Sequence, residues 1–403
     1  MSPKRPGSDG PFPRPVAPVA PKGAPGVGPK GTHIGVSPVE RRTGPAKAHK
    51  SGPDPDDLYA ALDLGTNSCR MLIAQPKGSQ LHVVDSFSKS VQLGHGLEAS
   101  GRMSRASMAR AVGALKICQK KLSKHRVELE RARLVATEAC RRAVNGAEFI
   151  ALVKRETGLE LEIIKPEEEA QLAVVSCAPL VSTRTEQLLV VDIGGGSTEL
   201  VWIDLSRVPK LERPKAIMRL HQGFDYDDSI FPRAKVVDWI SIPLGVATLK
   251  DMYDDVADDG ARFALMSWYF EEQLAEFSPY TDAADQTLEG FQIIGTSGTV
   301  TTVAASHLGL RRYDRNKVDG LRMTSTQIDT VINGYLALGP DGRRRDPRIG
   351  RDRQTLIMSG AAILQALLRA WPTDRLSVAD RGLREGLLYA QMSRDGVLED
   401  GPY

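Results

Sequence analysis

One short unit occurs twice in this sequence of 403 residues, and it constrains the fold more than any other feature. Each copy is an apolar strand that ends in Asp, followed by a glycine-containing turn and a second apolar strand. The first turn reads DLGTNS over residues 63–68, and the second reads DIGGGSTE over residues 192–199. The copies lie about 130 residues apart, which is one domain length. The repeat predicts an α/β chain with two similar domains that face each other across a cleft.

Hydrophobic periodicity outside the repeat predicts strands alternating with helices. Further strands are predicted at 80–86, 133–136, 160–164, 239–244, 291–296 and 376–379. Helices are predicted over 104–122, 145–155, 167–176, 253–277, 297–307, 353–370 and 382–392. The pattern divides the chain into a first domain over 56–183 and a second over 184–380, with the helix at 381–394 packing back on the first.

Composition separates the N-terminal segment from the rest of the chain. Residues 1–55 hold 13 of the 25 prolines, and this composition predicts a disordered, Pro-rich tail. Nine Lys and Arg against three Asp and Glu before Pro55 give the tail a charge of +6, so a net charge of +3 leaves −3 for the remainder. A faintly acidic folded part argues against a general nucleic-acid binder.

Several other classes of protein are disfavoured. No apolar run is long enough to predict a membrane span. Four scattered cysteines without zinc-ligand spacing are typical of buried residues in a reducing compartment, so the predicted location is the cytoplasm. There is no GxxxxGK[ST] motif of a P-loop and no GxGxxG motif of a dinucleotide site.

The two turns have the chemistry of an anion site. Glycines let backbone N–H groups approach a phosphate, and neighbouring hydroxyl and amide side chains add donors. The predicted phosphate-binding residues of the turns are Asp63, Gly65, Thr66, Asn67, Ser68, Gly194, Gly195, Gly196, Ser197 and Thr198. Asp63 and Asp192 end buried strands, where a carboxylate can hold Mg²⁺, and Glu199 lies seven residues beyond Asp192. The alternative interpretation is a pair of β-hairpins with ordinary glycine turns.

A third glycine-containing segment follows a predicted strand and opens a helix, where phosphate binds readily. It comprises Gly295, Thr296, Ser297 and Gly298. With DLGTNS and DIGGGSTEL, the segment GTSGTVTTVAA resembles the actin/Hsp70/sugar-kinase (ASKHA) superfamily, whose domains are RNase H-like. Together with ATEACRRAVNGAEF, EIIKPEEEAQL and DRGLREGLL, it most resembles the exopolyphosphatase / guanosine pentaphosphate phosphatase (Ppx/GppA) family.

The resemblance implies a role for individual residues. It assigns the general base to Glu169, metal binding to Asp192 and Glu199, and phosphate binding to Arg141. Because three glutamates adjoin at 167–169, a slip of one residue would move the base to Glu168. Without the resemblance, these glutamates are typical of a solvated helix start.

The predicted function is a Mg²⁺-dependent hydrolase that removes the terminal phosphate from inorganic polyphosphate, from the 5′ end of guanosine pentaphosphate, or from both. A kinase using polyphosphate or ATP, and a non-catalytic nucleotide-binding clamp, remain alternatives. The preferred substrate and the choice between monomer and homodimer stay open, and no nucleic-acid or membrane partner is predicted. The arginines at 343–353 form either a solvated loop or a track that steers a polyanion.

Overall fold

Two mixed β-sheets built on the same plan organise the chain. The computed structural model describes residues 57–225, 233–277, 279, 290–350 and 353–398. The first sheet has the order β3-β2-β1-β4-β5. Its strands are β1 (Tyr59–Leu64), β2 (Ser68–Lys77), β3 (Gln80–Ser90), β4 (Ala132–Ala136) and β5 (Glu162–Ile163). The predicted tail lies outside the described residues.

The second sheet repeats this arrangement and adds one strand at its edge. Its order is β10-β11-β9-β6-β7-β8. Its strands are β6 (Gln187–Ile193), β7 (Thr198–Asp204), β8 (Lys235–Ile242), β9 (Phe291–Thr296), β10 (Arg322–Met323) and β11 (Leu376–Ala379). In each sheet a hairpin, β1–β2 or β6–β7, pairs in parallel with the next strand, β4 or β9. The predicted repeat is thus present in the strand order.

Helices cover both sheets. The helices of the first half are α1 (Leu97–Ser100), α2 (Arg105–His125), α3 (Glu138–Arg142), α4 (Gly146–Thr157) and α5 (Pro166–Ser176). Those of the second half are α6 (Arg213–Arg219), α7 (Val246–Met252), α8 (Asp259–Leu274), α9 (Gly298–His307), α10 (Arg315–Val318), α11 (Ser325–Arg345), α12 (Ile357–Ala370) and α13 (Leu383–Arg394). None of the helices in the described ranges is long and apolar enough to cross a membrane.

Side-chain caps set several helix starts. Ser104 accepts a hydrogen bond from the Ser107 N–H at the start of α2. Asp258 does the same for Ala261 at the start of α8, so this helix begins six residues later than the predicted 253. The buried face of α2 includes Ala111, Leu115, Cys118 and Leu122, as its periodicity predicts.

Helix α11 is the longest of the described elements that the sequence pattern did not predict. It contains Gly339, whose φ of 63° breaks the helical geometry, followed directly by Pro340. Glycine and proline at this point hide a 21-residue helix from a periodicity argument. The expectation of a solvated loop is therefore wrong for residues 343–345, which form the last turn of α11.

The C-terminal helix α13 packs against β1, β2 and α5. Its buried Leu387 and Leu388 join one apolar cluster with Tyr59, Ala61 and Leu72 of the first sheet. The described residues all belong to one compact unit. The division of this unit at residues 183 and 184 stays a prediction.

The crossing of α13 and α5 depends on a glycine. A Cβ at Gly386 would lie 2.0 Å from the Leu172 carbonyl oxygen of α5, so the helices cannot keep this separation with a side chain there. We expect Gly386→Ala to lower the free energy of unfolding by about 1–3 kcal/mol, as overpacking does. The measurement is denaturant unfolding. Gly113→Ala in α2 is the control, because apart from the adjoining residues and the backbone of its own helix nothing lies within 4 Å of its added Cβ. Equal stability of the two variants would contradict the close approach.

Candidate active site

The two glycine turns have the same local geometry. In the first, the Gly65 N–H donates to the Ser68 carbonyl oxygen at 2.9 Å. In the second, the Gly194 N–H donates to the Ser197 carbonyl oxygen, also at 2.9 Å. We call residues 63–68 the first loop and residues 192–197 the second loop. Each loop joins the strands of a hairpin, so the pseudo-repeat of the sheets is also a repeat of the loops.

The two loops touch each other. A Cβ at Gly196 would lie 2.4 Å from the Thr66 hydroxyl oxygen, and one at Gly195 would lie 3.2 Å from the Asn67 nitrogen. Glycine is therefore required at position 196 for this approach. Thr66 is 5% exposed, and its hydroxyl has no hydrogen-bond partner among the described residues. A buried hydroxyl without a partner is costly unless a ligand satisfies it.

A cavity of about 270 Å³ opens between the loops. Three predicted segments contribute to its wall: the first loop, the second loop, and residues 296–298 at the start of α9. Acidic wall residues are Asp63, Glu138, Glu169, Asp192 and Asp380. Basic wall residues are Arg70, Arg353, Arg381 and Arg384. A cavity that holds both signs of charge can bind a metal ion together with a polyanion.

The acidic residues destabilise one another's charged forms. Burial, with Glu169 and Asp63 nearby, raises the pKa of Asp192 to about 7. Burial and the neighbouring Asp192 raise the pKa of Glu199 to about 7. Asp192 and Glu199 are paired across the β6–β7 hairpin, and Glu199 also accepts a hydrogen bond from the Ser241 hydroxyl at 2.8 Å. A cation beside these carboxylates would remove the repulsion.

The neighbouring glutamates at the start of α5 have different surroundings. Glu169 lines the cavity with 12% of its side chain exposed. Burial and Glu199 raise the pKa of Glu169 well above its usual range, and Arg141 opposes this shift. Glu168 lies outside the cavity wall, is 33% exposed and forms an ion pair with Arg133. Only Glu169 of the two contacts the space where a substrate would lie.

Arg141 is engaged by protein groups. Its guanidinium donates to Glu169 Oε2 at 2.7 Å and to Glu138 Oε2 at 2.9 Å. It also donates to the Ile164 carbonyl oxygen at 2.8 Å. It is absent from the cavity wall. The structure thus places the arginine that was predicted to bind phosphate beside the predicted base.

The arginines that line the cavity are others, namely Arg70, Arg353, Arg381 and Arg384, and Arg353 is the last arginine of the basic run at 343–353. Arg70 lies directly opposite Asp63 in the register of the β1–β2 hairpin, just as Glu199 lies opposite Asp192 in the β6–β7 hairpin. Arg70 therefore has the same seven-residue offset that identified Glu199, and that offset would have found it. Arg353 donates to the Gly298 carbonyl oxygen at 2.8 Å and to the Thr301 hydroxyl at 3.2 Å. No local motif marks this second arginine.

Some of the predicted phosphate-binding residues make contacts within the protein instead of lining the cavity. Thr198 lies in β7, and its hydroxyl donates to the Leu244 carbonyl oxygen at 2.8 Å. Gly295 lies inside β9, against Val300. Neither is in the cavity wall. The Ser297 hydroxyl lines the cavity but accepts hydrogen bonds from the first amides of α9. Of the third segment, Thr296, Ser297 and Gly298 are thus brought to the cavity.

The basic run at 343–353 does not form one exposed surface. Arg343 is 4% exposed and makes two hydrogen bonds, at 2.7 and 2.9 Å, to the Asp259 carboxylate. Arg344 is exposed and pairs with Asp341, and Arg353 belongs to the cavity. Arg351 lies outside the described residues. Arg343 is therefore a buried ion-pair partner and cannot belong to a polyanion track.

Comparison with known proteins identifies related chains. The model of the Ppx/GppA phosphatase family matches residues 72–395. The chain is 28% identical over 339 residues to a guanosine-5′-triphosphate,3′-diphosphate pyrophosphatase of Aeromonas salmonicida. This match covers 84% of the chain and 60% of the relative, so the chain spans less than two thirds of that relative's length.

Solved structures share the fold. The crystal structure of the Aquifex aeolicus Ppx/GppA family member matches with a TM-score of 0.64 and 28% identity, over 84% of this chain and 98% of that one. An exopolyphosphatase from Cytophaga hutchinsonii matches with a TM-score of 0.69 and 22% identity, over 85% and 100% of the two chains. The predicted fold class, RNase H-like and related to actin, is confirmed.

Proposed function

Because the chain belongs to the Ppx/GppA phosphatase family, we propose that it hydrolyses phosphoanhydride bonds in the cavity between its two loops. The substrate class is inorganic polyphosphate, guanosine pentaphosphate at its 5′ end, or both. The observation that carries this proposal is that buried carboxylates with raised pKa values and several arginines line one cavity. Phosphoryl transfer to water needs this combination of charge neutralisation and an activated nucleophile.

Backbone and side-chain donors of the loops would hold the terminal phosphates. Among the described residues, no protein group accepts a hydrogen bond from the N–H groups of Thr66, Asn67, Gly195 or Gly196. These amides and the unpartnered Thr66 hydroxyl are donors for phosphate oxygens. Arg70 and Arg353 add charged, planar donors that can bind phosphate in a bidentate manner.

Glu169 is the proposed general base. It lines the cavity, and a carboxylate whose pKa is raised by burial is a stronger base than an ordinary glutamate. Its role is to orient a water and take its proton as the water attacks phosphorus. Glu168, which is paired with Arg133 outside the cavity wall, is not proposed for this role.

Asp192, in the cavity wall, and its cross-strand neighbour Glu199, which lies outside that wall, are the proposed Mg²⁺ ligands, with Asp63 close enough to influence Asp192. Within the described ranges, no group of three or more His, Cys, Asp or Glu residues is arranged to hold a metal alone. Two carboxylates still fit Mg²⁺, because this ion usually takes one or two protein carboxylates and completes its shell with water and substrate phosphates. When bound, it would neutralise developing charge on the phosphoryl oxygens.

The proposed setting is the cytoplasm. All four cysteines, Cys69, Cys118, Cys140 and Cys177, are buried and free, which suits a reducing compartment. The sequence gives no ground for a nucleic-acid partner, and a homodimer remains open.

The proposal is tested by following products from both substrates in the presence of Mg²⁺. We expect free phosphate and a substrate shortened by one phosphate from at least one of them. A phosphorylated acceptor without free phosphate would identify a kinase. Binding without turnover of either substrate would identify a nucleotide-binding clamp.

Arg70→Ala tests the assignment of the phosphate donors. We expect the kcat/KM for phosphate release to fall about 10–100-fold, because a hydrogen bond to a charged group is worth about 1.5–3 kcal/mol. The control is Arg102→Ala, whose side chain is 52% exposed and lies outside the cavity wall. Unchanged kinetics in Arg70→Ala would remove this arginine from the substrate site.

A further inference from the structure

We propose that Glu138 and Arg141 are positioning residues that hold the base Glu169 in place, and that Arg141 does not bind substrate phosphate. The inference rests on the proposed function, because it gives Glu169 its catalytic role. It assigns a role to Glu138, which the sequence argument left unassigned, and changes the role of Arg141.

The three side chains form one chain of ion pairs. Arg141 Nη1 donates to Glu169 Oε2 at 2.7 Å, while Nη2 and Nε donate to Glu138 Oε2 at 2.9 and 3.2 Å. Nη1 also donates to the Ile164 carbonyl oxygen, just before α5 begins. The guanidinium therefore ties α3, which carries Glu138, to the start of α5, which carries the base.

The position of Arg141 does not suit a phosphate ligand. Its side chain is 14% exposed and is not part of the cavity wall, whereas both of its acidic partners line the cavity. Turning the guanidinium toward a substrate would break its ion pairs with two buried carboxylates. Unpairing buried charges is strongly unfavourable, so the geometry favours a fixed guanidinium.

Glu138 keeps the guanidinium fixed from the other side. It is 8% exposed, and a Cβ at Gly196 of the second loop would lie 3.0 Å from its Cγ. Glu138 is thus confined between α3 and the second loop. Because it accepts two of the Arg141 hydrogen bonds, it sets the orientation of the guanidinium that contacts Glu169.

The consequence for the base is a defined orientation of its carboxylate. Among the described residues, Arg141 is the only hydrogen-bond donor to Glu169, and it contacts Oε2 alone. The other oxygen, Oε1, accepts no hydrogen bond from those residues and is available to a water. When the carboxylate is fixed, this oxygen keeps one position relative to the attacking water. Holding a catalytic group in its reactive geometry raises the rate.

The test is a double-mutant cycle between Glu138→Gln and Glu169→Gln, with kcat and KM measured on guanosine pentaphosphate and long polyphosphate. In the wild-type background we expect Glu138→Gln to lower kcat about 10–100-fold, because a small displacement of a catalytic group has an effect of this size on rate. KM should change less than about threefold. In the Glu169→Gln background the same substitution should lower kcat by less than about threefold, because the base that it positions is already absent. An equal loss in both backgrounds would overturn the proposal.

The control is Glu98→Gln. Glu98 forms a two-bond ion pair with Arg142, the residue next to Arg141, but lies outside the cavity wall. Its kinetics should match the wild type. A comparable kcat loss in Glu98→Gln would show a general effect of charge near α3 and overturn the specific role of Glu138.

Arg141→Lys gives an independent test that does not require Glu138→Gln to fold. Lysine keeps the charge but lacks the planar fork that spans both carboxylates. We expect a kcat loss of about 10–100-fold with KM nearly unchanged. A KM raised more than about tenfold with kcat retained would assign Arg141 to phosphate binding and overturn the proposal.

Failure of the proposed function is distinguishable from failure of this inference. Wild-type activity in Glu169→Gln would remove the base and, with it, the need to position it. A disabled Glu169→Gln together with a wild-type Glu138→Gln would overturn the positioning role alone.

Discussion

Glu169→Gln is expected to lower the rate of phosphate release by about 10²–10⁴-fold, the usual contribution of a general base. Glutamine keeps the size of the side chain and can still accept the hydrogen bond from Arg141, which lies 2.7 Å from the carboxylate. It cannot take a proton from water. Because the phosphate donors belong to other elements, substrate affinity should stay within about threefold of the wild type.

The matched control is the adjacent substitution Glu168→Gln. It removes the same charge from the same helical turn, but at a side chain paired with Arg133 outside the cavity wall. Its rate should remain within about threefold of the wild type. If Glu168→Gln is the more damaging of the two changes, the base has been assigned one residue too far along the chain.

Asp192→Asn is expected to raise the Mg²⁺ concentration for half-maximal activity by about 10–100-fold, the range seen when support of a metal site is lost. Asp192 is the second-last residue of β6 and the first residue of the second loop, and burial and neighbouring acids oppose its charge and raise its pKa to about 7. Asparagine removes the anionic ligand with little change in shape. Glu199→Gln should act in the same direction.

Asp204→Asn provides the comparison for the metal prediction. Asp204 lies at the far end of β7 from Thr198, which adjoins the second loop, and it is not in the cavity wall. Its Mg²⁺ dependence should match the wild type. Full activity of the wild type or of Asp192→Asn in excess EDTA would contradict the metal role.

The paired hairpins were predictable because the sequence repeats them. A buried strand with Asp63 or Asp192 at its second-last position and a glycine turn fix the local backbone, and the structure gives both turns the same hydrogen bond at 2.9 Å. It is harder to predict from the sequence what each side chain of such a hairpin contacts. Thr198 follows the second loop directly, yet it starts β7 and bonds to the Leu244 carbonyl oxygen inside the fold.

Long-range packing decides the remaining features of the site. Arg353 reaches the cavity by bonding to Gly298, 55 residues earlier, so no spacing rule could select it from the other arginines of the run. Arg343 in the same run is buried against Asp259 instead. Local pattern shows that a segment is basic, but only tertiary contacts show which arginine lines the cavity and which supports the fold.

The surroundings of Arg141 illustrate the same limit for a residue that family resemblance did select. The resemblance brings an arginine to this position and suggests phosphate as its partner. The side chains of Glu138 and Glu169 converge on it from α3 and α5, and with the Ile164 carbonyl oxygen they accept four of the hydrogen bonds that its guanidinium can donate. The choice between these roles depends on side-chain geometry, which the motif does not encode.

The central claim is that water attacks the terminal phosphate of the substrate in this cavity. The most direct measurement is the transfer of ¹⁸O from labelled water into phosphate released from guanosine pentaphosphate and from long polyphosphate. We expect labelled free phosphate from at least one substrate with the wild type, and loss of that signal in Glu169→Gln. Unlabelled phosphate, or a phosphoryl group that appears only on an acceptor molecule, would contradict it.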